Sequence, residues 1–105
     1  MSKFLVLYRS AKSPAEMFEG VSPEQQQAFA KAWLEWDASA GKALTDPGNP
    51  TMMVSDPKAG GDYIGGYAII EADNSEAVDK LLTGHPFLAT GGTVGIYEVQ
   101  DMQAP

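Results

Sequence analysis

Two apolar strands, each followed by a capped helix, constrain this chain more than any other feature. The run Lys3 to Arg9, KFLVLYR, sets Phe4, Val6 and Tyr8 against Leu5, Leu7 and Arg9. Successive strand side chains point to opposite faces, so both faces of this strand are largely apolar and both call for cover. A second run over residues 64–72, IGGYAIIEA, sets Tyr67, Ile69 and Glu71 against Ala68, Ile70 and Ala72. Gly65-Gly66 at its start predicts a bulge or a close backbone approach.

The segments between carry helix signals. Ser13-Pro14-Ala15-Glu16 has a cap, a proline at the first helical position and a glutamate at the third, and Gly20 follows soon after. This predicts a short helix or a structured loop. Ser22-Pro23-Glu24-Gln25 repeats the pattern and opens the main helix, residues 23–40. Phe29, Trp33, Trp36 and Ala40 form one stripe, with Glu24, Lys31 and Glu35 opposite and Gly41 as the stop. At 1.5 Å per residue such a helix is about 27 Å long, enough to cross a small sheet. The turn cluster Asp46-Pro47-Gly48-Asn49-Pro50 precedes an expected short strand at 51–54 and a Gly/Pro-rich loop over 55–62. After the 64–72 strand, Asp73, Asn74 or Ser75 caps a helix over 75–83 with Val78, Leu81 and Leu82 as its core stripe. Gly84 ends it and Pro86 bars its continuation, leaving 87–92 as a loop before a last strand, TVGIYEV, at 93–99. The tail DMQAP closes the chain.

The expected order is β-α-β-β-α-β, an α+β, ferredoxin-like fold. Right-handed crossovers put both helices on one face of an antiparallel sheet. The other face stays apolar and uncovered, which predicts a homodimer through that helix-free face.

Composition narrows the function. With 105 residues the chain has the size of one domain. Fourteen acidic against seven basic side chains give a formal charge of −7, which disfavours nucleic acid and anionic membranes as partners. Cysteine is absent and there is one histidine, so thiolate chemistry and multi-histidine metal sites within one chain are excluded. No apolar run reaches the roughly 20 residues of a bilayer span, and Met1 to Arg9 lacks the basic start and apolar length of a signal peptide. A cytoplasmic protein is expected. No cofactor is expected either. Gly60-Gly61 and Gly65-Gly66 lack the strand–GxxxxGK–helix setting of a phosphate loop, and helix capping accounts for Asp73, Glu76 and Asp79 without calcium.

The segment IGGYAIIEADNSEAVDKLLTGHPFLATGGTVGIYEV resembles the second half of YCII-related proteins, also called DGPF-domain proteins. The KFLVLYR strand, the SPEQ helix start, the Trp33–Trp36 helix and the turn after it match the first half. The resemblance covers roughly residues 3 to 100, and implies a single YCII-related domain over 1–105 that assembles as a dimeric α/β barrel. One branch of that family is linked to dehalogenation or hydrolysis-type chemistry on small ring-derived acids, with a His and an Asp in its pocket. This chain departs from that branch. Its long helix has no histidine, and His85 stands at the helix–proline junction where the branch has an aspartate.

The residues themselves offer a few chemical groups. His85 continues the Val78–Leu82 stripe and points inward. Asp37 lies about 80° around the wheel from Phe29, so an Asp37–His85 contact can form and orient a general acid/base. The alternative for His85 is a helix C-cap bonding carbonyls and packing on Trp36. Tyr8 and Arg9 end the first strand, and Arg9, the sole arginine, can capture a carboxylate or simply pair with an acid. Trp36, with Trp33 and Phe29, can wall a pocket or fill the core. Met53, beside Met52, can pad an irregular binding surface. The leading expectation is a protein that binds a small molecule, an anionic one among the candidates, in a cleft between sheet and helix ends. The alternatives are a cofactor-independent hydrolase- or lyase-type enzyme using His85 as general acid/base, and a non-catalytic interaction dimer.

Overall fold

The computed structural model describes residues 1–57 and 62–100. The expected loop around Gly60-Gly61 and the tail from Asp101 lie outside these residues. Strand β1 (Ser2–Ser10) runs through the sheet between β3 (Tyr63–Ala72) and β4 (Thr93–Glu98), antiparallel to both, and β2 (Leu44–Asp46) lies outside β3. The strand order β2-β3-β1-β4 is that of a ferredoxin-like α+β fold.

The alternation read from the sequence decides which face is dry. Phe4 pairs with Ile70, Val6 with Ala68 and Tyr8 with Gly66, and all six residues are buried. Helix α2 (Pro23–Ala40) adds Trp36 and Ala40 to this core, and helix α3 (Ser75–Leu82) adds Val78 and Leu82. The indole Nε1 of Trp36 donates to the Leu81 carbonyl at 2.8 Å, tying the two helices together. On the opposite face Leu5, Leu7, Tyr67 and Ile69 are half-buried and Tyr97 is exposed, with no helix over them.

The capping signals place the helix starts. Ser13 accepts from the Glu16 N–H while Glu16 accepts from the Ser13 N–H, which opens the single turn α1 (Pro14–Met17). Ser22 and Gln25 make the same reciprocal pair at the head of α2, each bond 3.1 Å. Of the three candidate caps for α3, Asn74 is the one used, accepting from the Ala77 N–H at 2.9 Å.

Two expectations are corrected. The second strand is Leu44–Asp46, directly after a 3-10 turn at Gly41–Ala43, and not residues 51–54. Pro47 and Pro50 have no N–H to donate, so the ladder that begins at Leu44 breaks at the turn cluster and returns only as an isolated bridge between Pro50 and Gly66. Thr51 is pinned to β3 through its N–H and hydroxyl, on Gly65 and Ile64 carbonyls, but Met52 and Val54 then stand in solvent, 81% and 92% exposed. The second correction lies at 87–92, where Pro86–Ala89 form a helical turn, α4, in place of a plain loop.

The glycine pair behaves as its sequence suggests. Between Tyr8 and Arg9 the β1–β3 register slips by one residue, a bulge that leaves Gly65 opposite no partner. Gly66 lies against the Asn49 carbonyl, where an added Cβ would come within 3.3 Å.

Candidate functional site

A cavity of about 530 Å³ opens where one side of α2 passes over the end of the sheet. Ala30, Leu34 and Asp37 reach it at helical spacing, as do Phe29 and Trp33. Tyr8 from β1, Met17 and Phe18 from the α1 turn, Gly65 to Tyr67 from β3, Phe87 from α4 and the Pro47–Pro50 turn complete its walls. The turn is held by Asp46, whose Oδ1 accepts the Gly48 N–H at 2.8 Å.

The tryptophan stripe is therefore split between two roles. Trp36 and Ala40 are core, while Phe29 and Trp33 are half-buried and wall the cavity. Trp33 meets Tyr8, Phe29 and Phe87 at centroid distances of 5.0, 5.5 and 6.0 Å, with interplanar angles of 71°, 70° and 70°. Such edge-to-face arrangements are the favoured aromatic geometry.

Few polar groups reach this space. Among the described residues that line it, Asp37 is the only one with a carboxylate and none is a lysine or arginine. The Tyr8 hydroxyl and Asp37 Oδ1 are both shut off from solvent without a hydrogen-bond partner. Burial raises the Asp37 carboxyl above its usual range. It pushes the Tyr8 phenol well above 10, and the negative charge of Asp37 nearby adds to that.

His85 sits behind the cavity wall. It is 1% exposed and packed among Tyr8, Trp33 and Trp36, with ring centroids 5.1, 4.5 and 4.4 Å away. The reading of its side chain as a C-cap of α3 is corrected: it is the N-cap of α4, where Nδ1 accepts the Phe87 N–H at 3.0 Å. Gly84, at φ +79°, turns the chain so that His85 begins the next helix instead of closing the last one. An accepting Nδ1 places the proton of the neutral ring on Nε2. That atom is buried and unpartnered, as is Asp37 Oδ1, so no hydrogen bond joins the two residues. Burial lowers the His85 pKa to about 4.

The remaining candidates lie elsewhere. Arg9 is outside the cavity lining and pairs with Asp62 at 3.6 Å. Trp36 borders a second depression, about 720 Å³, between α2 and the α3–α4 junction. Met53 is 47% exposed on the segment after Pro50 and lines neither space. Sequence reasoning did not find Phe87, Tyr67 or the Pro47–Pro50 turn as cavity residues. Only the glycine pair hinted at a close approach there. Among the described residues no three His, Asp or Glu side chains gather as a metal site, and no helix is long and apolar enough to cross a membrane.

Fold and cavity together define an α+β protein with a four-stranded antiparallel sheet, helices on one face and an aromatic-walled space at one sheet end. The YCII-related domain matches residues 4–103, and the chain belongs to that family. Among solved structures it is similar to the 5-chloro-2-hydroxyhydroquinone dehydrochlorinase of Burkholderia phenoliruptrix AC1100 in complex with 2,5-dihydroxybenzoquinone. That likeness has a TM-score of 0.55 at 18% identity, covers 89% of this chain and 90% of the other, and speaks for the fold alone. No curated protein matches the chain.

Proposed function

We propose that this protein binds a small, largely apolar molecule in the cavity between α2 and the sheet end, with Tyr8 and Asp37 as its polar contacts. The observation that carries this reading is the pair of buried, unpartnered atoms, Tyr8 Oη and Asp37 Oδ1, on residues lining an aromatic-walled cavity. An unsatisfied buried polar group costs roughly 1–3 kcal/mol, and such groups usually have a water, ion or ligand to answer them. The volume lies in the range of small-molecule sites, about 300–1,000 Å³. An anionic ligand has little support, because no cationic side chain lines the space among the described residues.

The test is saturation-transfer NMR with phenol on the wild-type protein and on Ala30→Trp. Ala30 is exposed on α2 and lines the cavity, so an indole there fills the space without disturbing the core. Saturation transfer in the wild type that disappears in the variant supports the reading. Equal signals in both proteins, or none in either, sink it.

A second reading, a cofactor-independent enzyme with His85 as general acid/base, draws on the buried free Nε2 beside Tyr8 and on the dehydrochlorinase named above. In the neutral ring this nitrogen carries a proton while Nδ1 stays engaged, but His85 lies behind the cavity wall, so this reading requires Tyr8 to move aside before Nε2 can donate to a developing oxyanion. On either reading the protein acts as a homodimer through the helix-free face, where Leu5, Leu7, Tyr67 and Ile69 want cover.

A further inference from the structure

We infer that the ligand of the Tyr8–Asp37 cavity is a small organic cation, an alkylated or aryl ammonium, held by the aromatic walls and the Asp37 carboxylate. This rests on the cavity being a ligand site, as proposed above, and adds the charge class of the occupant.

Three observations point the same way. The first is the set of walls. The rings of Tyr8, Phe29, Trp33 and Phe87 line the cavity, and Trp33 meets the other three edge-to-face at 71°, 70° and 70°, which fixes them against one another as a rigid aromatic wall. An aromatic wall of this kind is the setting in which cation–π attraction operates on an ammonium brought to within about 6 Å of a ring, and tryptophan is the strongest of the three ring types in that role. The second is the charge balance. Asp37 brings an acceptor to the cavity, and no lysine or arginine of the described lining neutralises it. The chain's one arginine is engaged with Asp62 outside the cavity. The third is hydrogen bonding. Asp37 is half-buried, and its Oδ1 is shut off from solvent with no hydrogen-bond partner, which leaves an acceptor that a donor or a positive charge would satisfy. The surplus of acidic side chains, 14 against 7 basic, also raises the local concentration of cations. An anion meets the opposite conditions on every count. A neutral molecule of the same shape gains the burial but neither the cation–π nor the carboxylate interaction.

The decisive experiment compares two molecules of one shape, phenyltrimethylammonium and tert-butylbenzene, by titration against the tryptophan fluorescence of the wild-type protein, with Asp37→Asn and Ala30→Trp alongside. The expected result is binding of the cation at least about tenfold tighter than the hydrocarbon, a preference that shrinks severalfold in Asp37→Asn. Ala30→Trp abolishes both. Equal affinity for the two molecules, or a preference untouched by Asp37→Asn, overturns the cation assignment and leaves the cavity reading standing. Failure of both molecules to bind the wild type, with phenol also failing in the NMR test, removes the cavity reading and this inference with it. Should Asp37→Asn not fold, the wild-type comparison with benzoate replaces it: benzoate binding as tightly as the ammonium overturns the assignment.

Discussion

The backbone N–H of Phe87 donates to Nδ1 of His85 at 3.0 Å, so the chain's one histidine is an acceptor and has to stay neutral. Its stacking on Tyr8, with planes 29° apart, seals it from water on the cavity side. Structure and electrostatics are therefore coupled at this residue, and the coupling is measurable without any ligand.

The first expected outcome concerns pH. Burial holds the folded His85 pKa at about 4, against about 6.5 in an unfolded chain. Between those values the unfolded state binds more protons, so stability is fully present above about 6.5 and falls as pH drops toward 4. The loss attributable to this residue reaches about 3 kcal/mol. His85→Asn keeps an N-cap acceptor but does not titrate, so it should flatten the slope in that window. Urea denaturation of both proteins at pH 7 and 4.5 checks this, and a wild-type protein more stable at the lower pH relative to the variant would contradict it.

The two tryptophans should differ. Trp36 is 7% exposed and its indole holds the Leu81 carbonyl, so Trp36→Ala is expected to cost about 3–5 kcal/mol. Trp33 is half-buried on a cavity wall, and its removal should cost less, about 1–3 kcal/mol. Lys31→Ala, on the exposed side of α2, should stay within about 0.5 kcal/mol. Denaturant midpoints give the ranking directly. Trp33 costing more than Trp36 would mean the stripe is assigned wrongly.

Tyr8→Phe removes a buried hydroxyl that has no partner in the free protein. Its stability should be unchanged or up by as much as about 1 kcal/mol, while binding of phenol in the cavity weakens. A clear loss of stability would show that the hydroxyl is satisfied in the free protein after all.

Two glycines with similar backbone angles should respond differently to alanine. At Gly48, φ +71°, an added Cβ lands 1.7 Å from the Tyr67 carbonyl oxygen, so Gly48→Ala displaces the cavity turn and costs more than about 2 kcal/mol. At Gly84, φ +79°, nothing lies within 4 Å, and only the left-handed backbone penalty of about 1–2 kcal/mol applies. Thermal melts of the two variants separate backbone strain from steric contact.

The helix-free face provides the test of assembly. Sedimentation at micromolar concentration should give twice the mass of the chain, and Leu7→Arg in the middle of that face should halve it. An interface of this kind buries more than about 1,000 Å² in total. A monomeric wild type removes the dimer reading.

What the sequence determined was local. Ser13, Ser22 and Asn74 fixed the helix starts because a cap is a bond between residues three apart. The alternation of Phe4, Val6 and Tyr8 fixed the dry face because it is a property of one strand. Where a choice depended on partners far along the chain, sequence was silent or wrong. Leu44–Asp46 took the sheet edge that residues 51–54 had been expected to hold, since Pro47 and Pro50 forbid a ladder through the turn. His85 became an N-cap because a helical turn forms after it, and a solitary Pro-Phe-Leu-Ala run does not announce that turn. The cavity was least legible of all. It exists only where α2, the bulged end of β3, the Pro47–Pro50 turn and α4 converge, so Tyr8 and Asp37 come to share it through packing between segments that no sequence period relates.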